Sequence, residues 1–309
     1  MTAMERIGFI GLGAMGRPMA SNLVRKGFAL TVFDVNPAPV QALVAAGAKA
    51  AKSVADVVEG ADIVFTMLPD SPDVEAVALG EGGIAGAGRD GLLVVDMSTV
   101  DPATTDKVAA ALGEKGVGFA DAPVGRLVMH AERGESLFMV GASGNDFGRI
   151  RPLLEAMGTT IHHCGAPGTG IRTKLVNNYI AIAVCQIDAE AFALARAFGL
   201  DLATTLDVVN GTTATNGHLK TAWPNKVLVG DTAPGFKIAL AHKDMSLGVE
   251  AARKAGVPVF AGAAIRECLG LAKGSGDFAG RDFSALLDHV CSLAGLSPPR
   301  LKESGPEKK

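Results

Sequence analysis

The sequence predicts an α/β fold in its first half and an all-helical fold in its second. Three observations predict it. Up to about residue 165, short apolar, β-branched runs alternate with helix-length stretches, the pattern of βαβ units around a parallel sheet. After the turn-rich segment Gly165-Ala166-Pro167-Gly168-Thr169-Gly170, only helical periodicity remains. Glycine fills 39 of 309 positions without a Gly-X-Y period, about twice its usual share of roughly 7%. The backbone must therefore turn tightly or come close to something many times.

The elements follow in order. Strands are expected at Ile7–Ile10, Leu30–Phe33, Ile63–Met67, Leu92–Asp96, Gly118–Ala122 and Leu137–Val140, each a short apolar run. Between the first two, Met15, Met19 and Leu23 recur every fourth residue over Met15–Lys26, an amphipathic crossover helix that stops at Gly27. A single helical pattern then runs from Arg172 to Phe198 and is closed by Gly199. At about 1.5 Å per residue it spans roughly 40 Å, more than one small domain needs. Asp201–Val209 stops at Gly211, Asp244–Ala255 at Gly256, and Ser284–Ala294 ends before Pro298. The charged tail Lys302–Lys309 reads as frayed. Two domains are expected, residues 1–165 and 166–309, with the long helix joining them.

Composition narrows the function. The 29 basic and 32 acidic side chains leave a net charge of −3, which gives no footprint for nucleic acid or an anionic membrane. No apolar run approaches the ~18 residues that span a bilayer, and a strand as early as Ile7–Ile10 leaves no room for a signal peptide. Cys164, Cys185, Cys268 and Cys291 lie far apart with no C-x-x-C pair, so neither a disulfide framework nor a zinc site is implied. A cytoplasmic protein acting on a small molecule is expected.

Gly11-Leu12-Gly13-Ala14-Met15-Gly16 sits where a strand ends and a helix begins, the context that gives G-x-G-x-x-G its meaning. Gly11 makes the tight turn, Gly13 lets the backbone approach a pyrophosphate, and Gly16 lets helix and strand pack closely. The helix N-terminus supplies unpaired N–H groups for the phosphates. The first half is thus expected to be a Rossmann dinucleotide-binding domain. Asp34, at the end of the second strand, would accept hydrogen bonds from the adenosine ribose and repel a 2′-phosphate, favouring NAD over NADP. Read blandly, it is a turn aspartate before Asn36-Pro37. Met67-Leu68-Pro69 and Asp96-Met97-Ser98-Thr99 end further strands and either line the cofactor crevice or simply turn the chain.

The second signal is Gly168-Thr169-Gly170-Ile171-Arg172-Thr173-Lys174-Leu175-Val176-Asn177-Asn178. Lys174 and Asn178, four apart, share a helix face, and a lysine beside an amide suits carbonyl/alcohol redox chemistry, in which hydride goes to carbon and a proton to oxygen. A lysine's ordinary pKa of about 10.4 must fall for that task, by desolvation or beside a cation such as Lys243 or oxidised nicotinamide. His162-His163-Cys164 reads as plain strand rather than a metal site, His130 as a loop histidine or a substrate contact, and Trp223 as a packing anchor.

Gly-x-Gly-x-Met-Gly, Asp-Met-Ser-Thr, Asp121-Ala122-Pro123-Val124, the Gly-x-Gly-x-x-x-Lys-x-x-Asn-Asn run and His242-Lys243-Asp244 occur in that order along nearly the whole chain. Together they resemble the β-hydroxyacid dehydrogenase family, which includes 3-hydroxyisobutyrate dehydrogenase and tartronate semialdehyde reductase. The resemblance implies Lys174 as catalytic acid/base, Asn178, with Asn177 beside it, as substrate holder, and Lys243 near nicotinamide and substrate. It also implies a long helix joining the Rossmann domain to an all-α domain that makes homodimer or homotetramer contacts. Most members follow Asp-x-Pro-Val with Ser-Gly-Gly, whose amides receive the substrate carboxylate. Here stand Gly125-Arg126-Leu127, and the arginine offers a charged, multidentate donor to an anion.

Pro123-Val124-Gly125-Arg126, Gly170-Ile171-Arg172, Asn177-Asn178-Tyr179 and Trp223-Pro224-Asn225-Lys226 are similar to the sulfolactaldehyde reductase branch, which interconverts 3-sulfolactaldehyde and 2,3-dihydroxypropane-1-sulfonate with NAD(H). That branch continues with small polar residues where this chain has Leu127-Val128-Met129-His130. Other substrates left open are 3-hydroxyisobutyrate, tartronate semialdehyde and succinic semialdehyde (4-hydroxybutyrate). A decarboxylase resembling 6-phosphogluconate dehydrogenase needs a longer helical half, and a catalytically silent NAD-binding protein would tend to lack Lys174.

Overall fold

The computed structural model describes residues 5–301; the tail Lys302–Lys309 lies outside them. Two compact units are present, Met1–Lys174 and Leu175–Lys309.

The first unit is built on one nine-stranded sheet: β1 Ile7–Ile10, β2 Leu30–Phe33, β3 Lys49–Ala50, β4 Ile63–Thr66, β5 Leu93–Asp96, β6 Gly118–Asp121, β7 Val124–Gly125, β8 Ser136–Gly141 and β9 Gly158–Gly165. Six strands run parallel in the order β3-β2-β1-β4-β5-β6, the Rossmann arrangement. Here β8 runs antiparallel to β6 and β7, and β9 pairs parallel with β8. Strand order reverses between β1 and β4, so a ligand crevice is expected outside their carboxyl ends.

Side chains alternate strictly along the central strands. Ile7, Phe9, Ile63, Phe65, Leu93, Val95 and Ala120 enter one core with Met19, Leu23, Ile150 and Leu154. Ile10, Val64, Val94 and Phe119 enter the other, with Val57, Val74, Val108 and Leu112. Both faces are covered by helices, which is why these strands read as unbroken apolar runs.

All six expected strands are present, their ends shifted by no more than one residue. The two-residue β3 and β7 carry no periodic signal. His162-His163-Cys164 do lie in a strand, β9, whose half-buried to exposed residues suit a sheet edge.

The second unit contains the rest of the 29-residue helix Thr169–Ala197, then Leu202–Asn210, Ile238–Lys254, Phe260–Gly274 and Leu286–Leu293, with short 3-10 and π turns between. Its core gathers Ile182, Phe192, Leu228, Met245, Leu269 and Leu286 around Trp223, which is fully buried with Phe192 at 5.9 Å. The long helix starts three residues before the expected Arg172, and the helix expected at Asp244 starts at Ile238. Phe260–Gly274 is not legible in the sequence, because Gly262, Gly270 and Gly274 dilute its helical signal. Gly262 is demanded by packing: a Cβ there would lie 2.3 Å from the Tyr179 ring.

Asp188 marks a cost in this core. It is 5% exposed, Asn216 Nδ2 donates to its Oδ1 at 2.9 Å, and Oδ2 has no partner among the described residues. Burial pushes its carboxyl up to about 6, against the Asn216 hydrogen bond. An unfolded aspartate titrates near ~3.9, so the stability its protonated form contributes is complete below about pH 4 and is lost as the pH rises through the folded value. Asp188→Asn should therefore raise the melting temperature at about pH 8, by up to roughly 3 kcal/mol of stability, and by only about a third of that near pH 4.5. Thermal melts at both values check this; an equal shift at both contradicts it.

Candidate active site

The glycine-rich turn after β1 has the shape that a dinucleotide needs. Gly11 adopts φ +93°, and a Cβ there would lie 2.3 Å from the Met67 carbonyl oxygen. At Gly16 a Cβ would meet the Gly11 carbonyl at 2.0 Å, so the helix Gly16–Arg25 begins hard against the turn. Around Gly13 nothing lies within 4 Å of a Cβ, and Gly13 and Ala14 form an exposed tip beside half-buried Met15. Five other helices of this unit carry side-chain caps, from Asn36, Ser53, Asp70, Asp101 and Ser143, whereas this one, like the short Ile84–Ala87 and Val128–Arg133, has none. An open tip leading to an uncapped helix start fits a pyrophosphate.

Asp34, half-buried at the end of β2, does more than the sequence suggested. Its Oδ2 accepts from Leu12 N at 2.6 Å and its Oδ1 from Asn36 N at 2.7 Å. The turn role and a loop-holding role coexist, and each oxygen keeps a lone pair for a ribose hydroxyl.

The next strand ends are cross-linked to one another. Asp96, 3% exposed, accepts through Oδ1 from Thr66 Oγ1 at 2.8 Å and Ser98 Oγ at 2.6 Å, and Ser98 Oγ in turn accepts from Leu68 N at 2.9 Å. Burial pushes the Asp96 carboxyl up, while the hydroxyls of Ser98 and Thr66 oppose this. These side chains shape the turns that present half-buried Met67 and Leu68, exposed Pro69 and half-buried Thr99.

Lys174, 9% exposed, donates from Nζ to the Val124 carbonyl at 2.7 Å. The start of its helix is held by Asp121 at the end of β6, whose Oδ1 accepts from Gly168 N at 2.5 Å and Oδ2 from Ile171 N at 2.6 Å. Arg172 adds a pair to Asp106 at 2.8 Å. The sequence quoted Asp121 only as part of a motif; a strand-end acid followed by Ala-Pro was the available signal.

Arg126 follows directly in the loop after β7. It is the non-glycine residue with positive φ among the described residues, at +72°. Its guanidinium donates to the Glu135 carbonyl at 2.5 Å and to the hydroxyls of Thr159 and Thr160 at 3.0 and 3.1 Å. All three acceptors are neutral, and among the described residues no carboxylate pairs with this exposed arginine. Gly125 is buried against Leu137, and Leu127 N donates to His130 Nδ1 at 3.3 Å.

In the second unit Asn178 is 7% exposed and fixed at both ends of its amide: Nδ2 donates to Asp244 Oδ2 at 2.7 Å, and Oδ1 accepts from exposed Asn177 Nδ2 at 3.0 Å. Lys243 Nζ lies 3.4 Å from Asp244 Oδ1. Asp244 thus joins two expected site residues without having been singled out itself; its neighbour Lys243 was the signal. No group of three or more metal-ligating side chains occurs among the described residues.

Residues 6–165 match the family model for the NAD binding domain of 6-phosphogluconate dehydrogenase, and residues 168–290 that for the NAD-binding part of NADP-dependent 3-hydroxyisobutyrate dehydrogenase. The chain is 43% identical over 295 residues to the 3-sulfolactaldehyde reductase of Escherichia coli, covering 95% of this chain and 98% of that one. With a 3-hydroxyisobutyrate dehydrogenase of Pseudomonas aeruginosa it shares 37% over 290 residues, 92% of this chain and 97% of the other. The 3-hydroxyisobutyrate dehydrogenase of Mycobacterium tuberculosis, solved with L-serine, aligns with a TM-score of 0.85 at 34% identity, over 93% of this chain and 99% of that one. Glycine turn, strand order, lysine and both matched halves agree: the chain belongs to the 3-hydroxyisobutyrate dehydrogenase-like family of nicotinamide-dependent β-hydroxyacid oxidoreductases.

Proposed function

We propose that this chain is an NAD-dependent aldehyde reductase and alcohol dehydrogenase for a short anionic substrate, of the 3-sulfolactaldehyde/2,3-dihydroxypropane-1-sulfonate type. One observation carries the reading: strand β7, whose Val124 carbonyl holds the Lys174 amine, leads directly into an arginine whose charge is held by neutral oxygens alone. A guanidinium in that state is ready for an anion. The 43% identity to the E. coli sulfolactaldehyde reductase supports a sulfonate.

In this reading residues 1–165 hold the cofactor and residues 166–309 serve substrate and assembly. Gly11, Leu12, Gly13, Ala14, Met15 and Gly16 take the pyrophosphate and Asp34 the ribose, with Met67, Leu68, Pro69 and Thr99 along the crevice and Lys243 near the nicotinamide. When bound, the dinucleotide supplies or accepts the hydride. Lys174 gives its proton to the aldehyde oxygen in reduction and takes it back from the alcohol in oxidation. Val124 fixes the direction of its Nζ. Arg126, with Gly125 and Leu127 beside it, grips the anion, and Asn178, steadied by Asp244 and Asn177, holds the substrate oxygen.

The chain is further proposed to work as a homodimer or homotetramer in the cytoplasm. Val176, Ile180, Ile187, Leu194 and Phe198 are each more than half exposed and recur along the long helix at spacings that place them on one side. The four cysteines are free, which suits a reducing compartment. No helix among the described residues is long and apolar enough to cross a membrane.

Three tests follow. NADH oxidation with sulfolactaldehyde and with succinic, tartronate and methylmalonate semialdehydes should show the highest kcat/KM on the sulfonate. Lys174→Ala should lower kcat about 100-fold or more, and Arg126→Ala should raise the KM for the preferred anion about tenfold. No turnover with any of the four, or near wild-type turnover by Lys174→Ala, would overturn the reading. Asp34→Ala should lower the NAD-over-NADP preference about tenfold or more; an unchanged ratio removes Asp34 from the ribose. Light scattering should find an oligomer that Leu194→Glu weakens, and a monomeric wild type would contradict the assembly.

A further inference from the structure

We infer that Asp121 is a positioning residue for Lys174, holding the start of the long helix in the register at which the lysine Nζ meets the Val124 carbonyl. The inference rests on the reading of Lys174 as the proton donor and adds what sets that lysine in place.

The leading N–H groups of a helix have no acceptor within it and are usually capped by a residue just before the helix. Here one carboxylate takes two of them, Gly168 N at 2.5 Å and Ile171 N at 2.6 Å, from 47 and 50 residues away in sequence. The cap therefore ties the helix to the sheet as well as beginning it. Three residues after Asp121, the Val124 carbonyl receives Nζ at 2.7 Å, one turn beyond Gly170. A four-residue segment thus grips the helix twice, and sliding the helix along its axis disturbs both contacts together.

The backbones leave no slack. A Cβ on Gly141 would lie 2.3 Å from Asp121 Oδ1 and 2.9 Å from Gly170 N; one on Gly170 would lie 2.3 Å from the Met139 carbonyl and 2.9 Å from that of Asp121. Strand, carboxylate and helix meet with only hydrogen atoms at the contact.

The charge on Asp121 is part of the grip, since an ionised carboxylate accepts both N–H groups and is attracted to the positive end of the helix dipole. Around it stand Asp96, its register neighbour on β5, and Arg172 and Lys174 on the helix. On β9, His163 Nε2 meets the Ala142 carbonyl at 2.9 Å; β8 carries no charge. Burial, reinforced by Asp96, holds the carboxyl up at about 6, against its backbone hydrogen bonds. The grip weakens as the pH falls through that value.

The test is the pH dependence of kcat in the reduction direction, with NADH and the aldehyde the wild type turns over. There Lys174 acts protonated and contributes no acid limb. The wild type is expected to lose kcat below about pH 6. Asp121→Asn should lower kcat at neutral pH about tenfold or more, lack that limb, and keep the KM for NADH within about twofold, because the nucleotide turn is untouched. An Asp121→Asn enzyme with wild-type kcat, or one that is slower yet keeps the acid limb, overturns the inference. Should the variant not fold, a wild type without an acid limb between about pH 5 and 7 overturns it. Lys174→Ala separates the two readings. If it stays active, the role of Lys174 fails; if it is inactive while Asp121→Asn is fully active, only the positioning role fails.

Discussion

The contact on which the site depends is a carboxylate against a helix end. Asp121 takes the N–H groups of Gly168 and Ile171, and the long helix that bears Lys174 starts from that bond. A lysine on a flexible four-carbon stem gains little from a well-placed backbone unless its amine is also held, and Val124 holds it from the same short segment. The glycines at 141 and 170 follow from this constraint rather than from any need to turn: each lies where a methyl group would force carboxylate and helix apart.

The same device recurs along the carboxyl edge of the sheet. Asp34 at the end of β2 takes Leu12 N, Asp96 at the end of β5 takes Thr66 and Ser98, and Asp121 at the end of β6 takes the helix start. Asp34 and Asp121 reach across to the turn or helix start of another element, and Asp96 ties the end of β4 to its own following loop, so these strand ends are braced by buried or half-buried carboxylates. Desolvation raises the carboxyls of Asp96 and Asp121, and donated hydrogen bonds pull the other way. In these loops the carboxylates act together with inward-packed apolar side chains such as Leu12 and Met97, which leaves the outer surface clear for a polar ligand.

How much of this was legible follows from the range of each interaction. The central strands are buried on both faces, so their apolar runs mark them to within a residue. The glycine turn and Lys174 are local patterns and could be read directly. Asp121 and Asp244 could not, because their partners lie 47 to 66 residues away and no local spacing links a strand-end acid to a helix start. The helix Phe260–Gly274 was hidden for a related reason: Gly262 lowers its local propensity in order to seat Tyr179. Arg126 was legible as a departure from the family pattern, but its partners Glu135, Thr159 and Thr160 were not.

Arg126 also shows why a departure from pattern is informative. At φ +72° a residue with a Cβ costs about 1–2 kcal/mol that glycine would not. Its three hydrogen bonds to neutral oxygens offset part of this, and they leave the guanidinium charge without a carboxylate partner among the described residues. Local stability alone therefore argues against arginine through the backbone strain, while the exposed guanidinium is solvated by water at little cost. Strain that persists in this way clusters at functional sites, which supports the proposed contact of Arg126 with an anionic substrate. Two residues upstream, in β7, the carbonyl of Val124 holds the Lys174 amine, so the strained residue is continuous with the strand that orients Lys174.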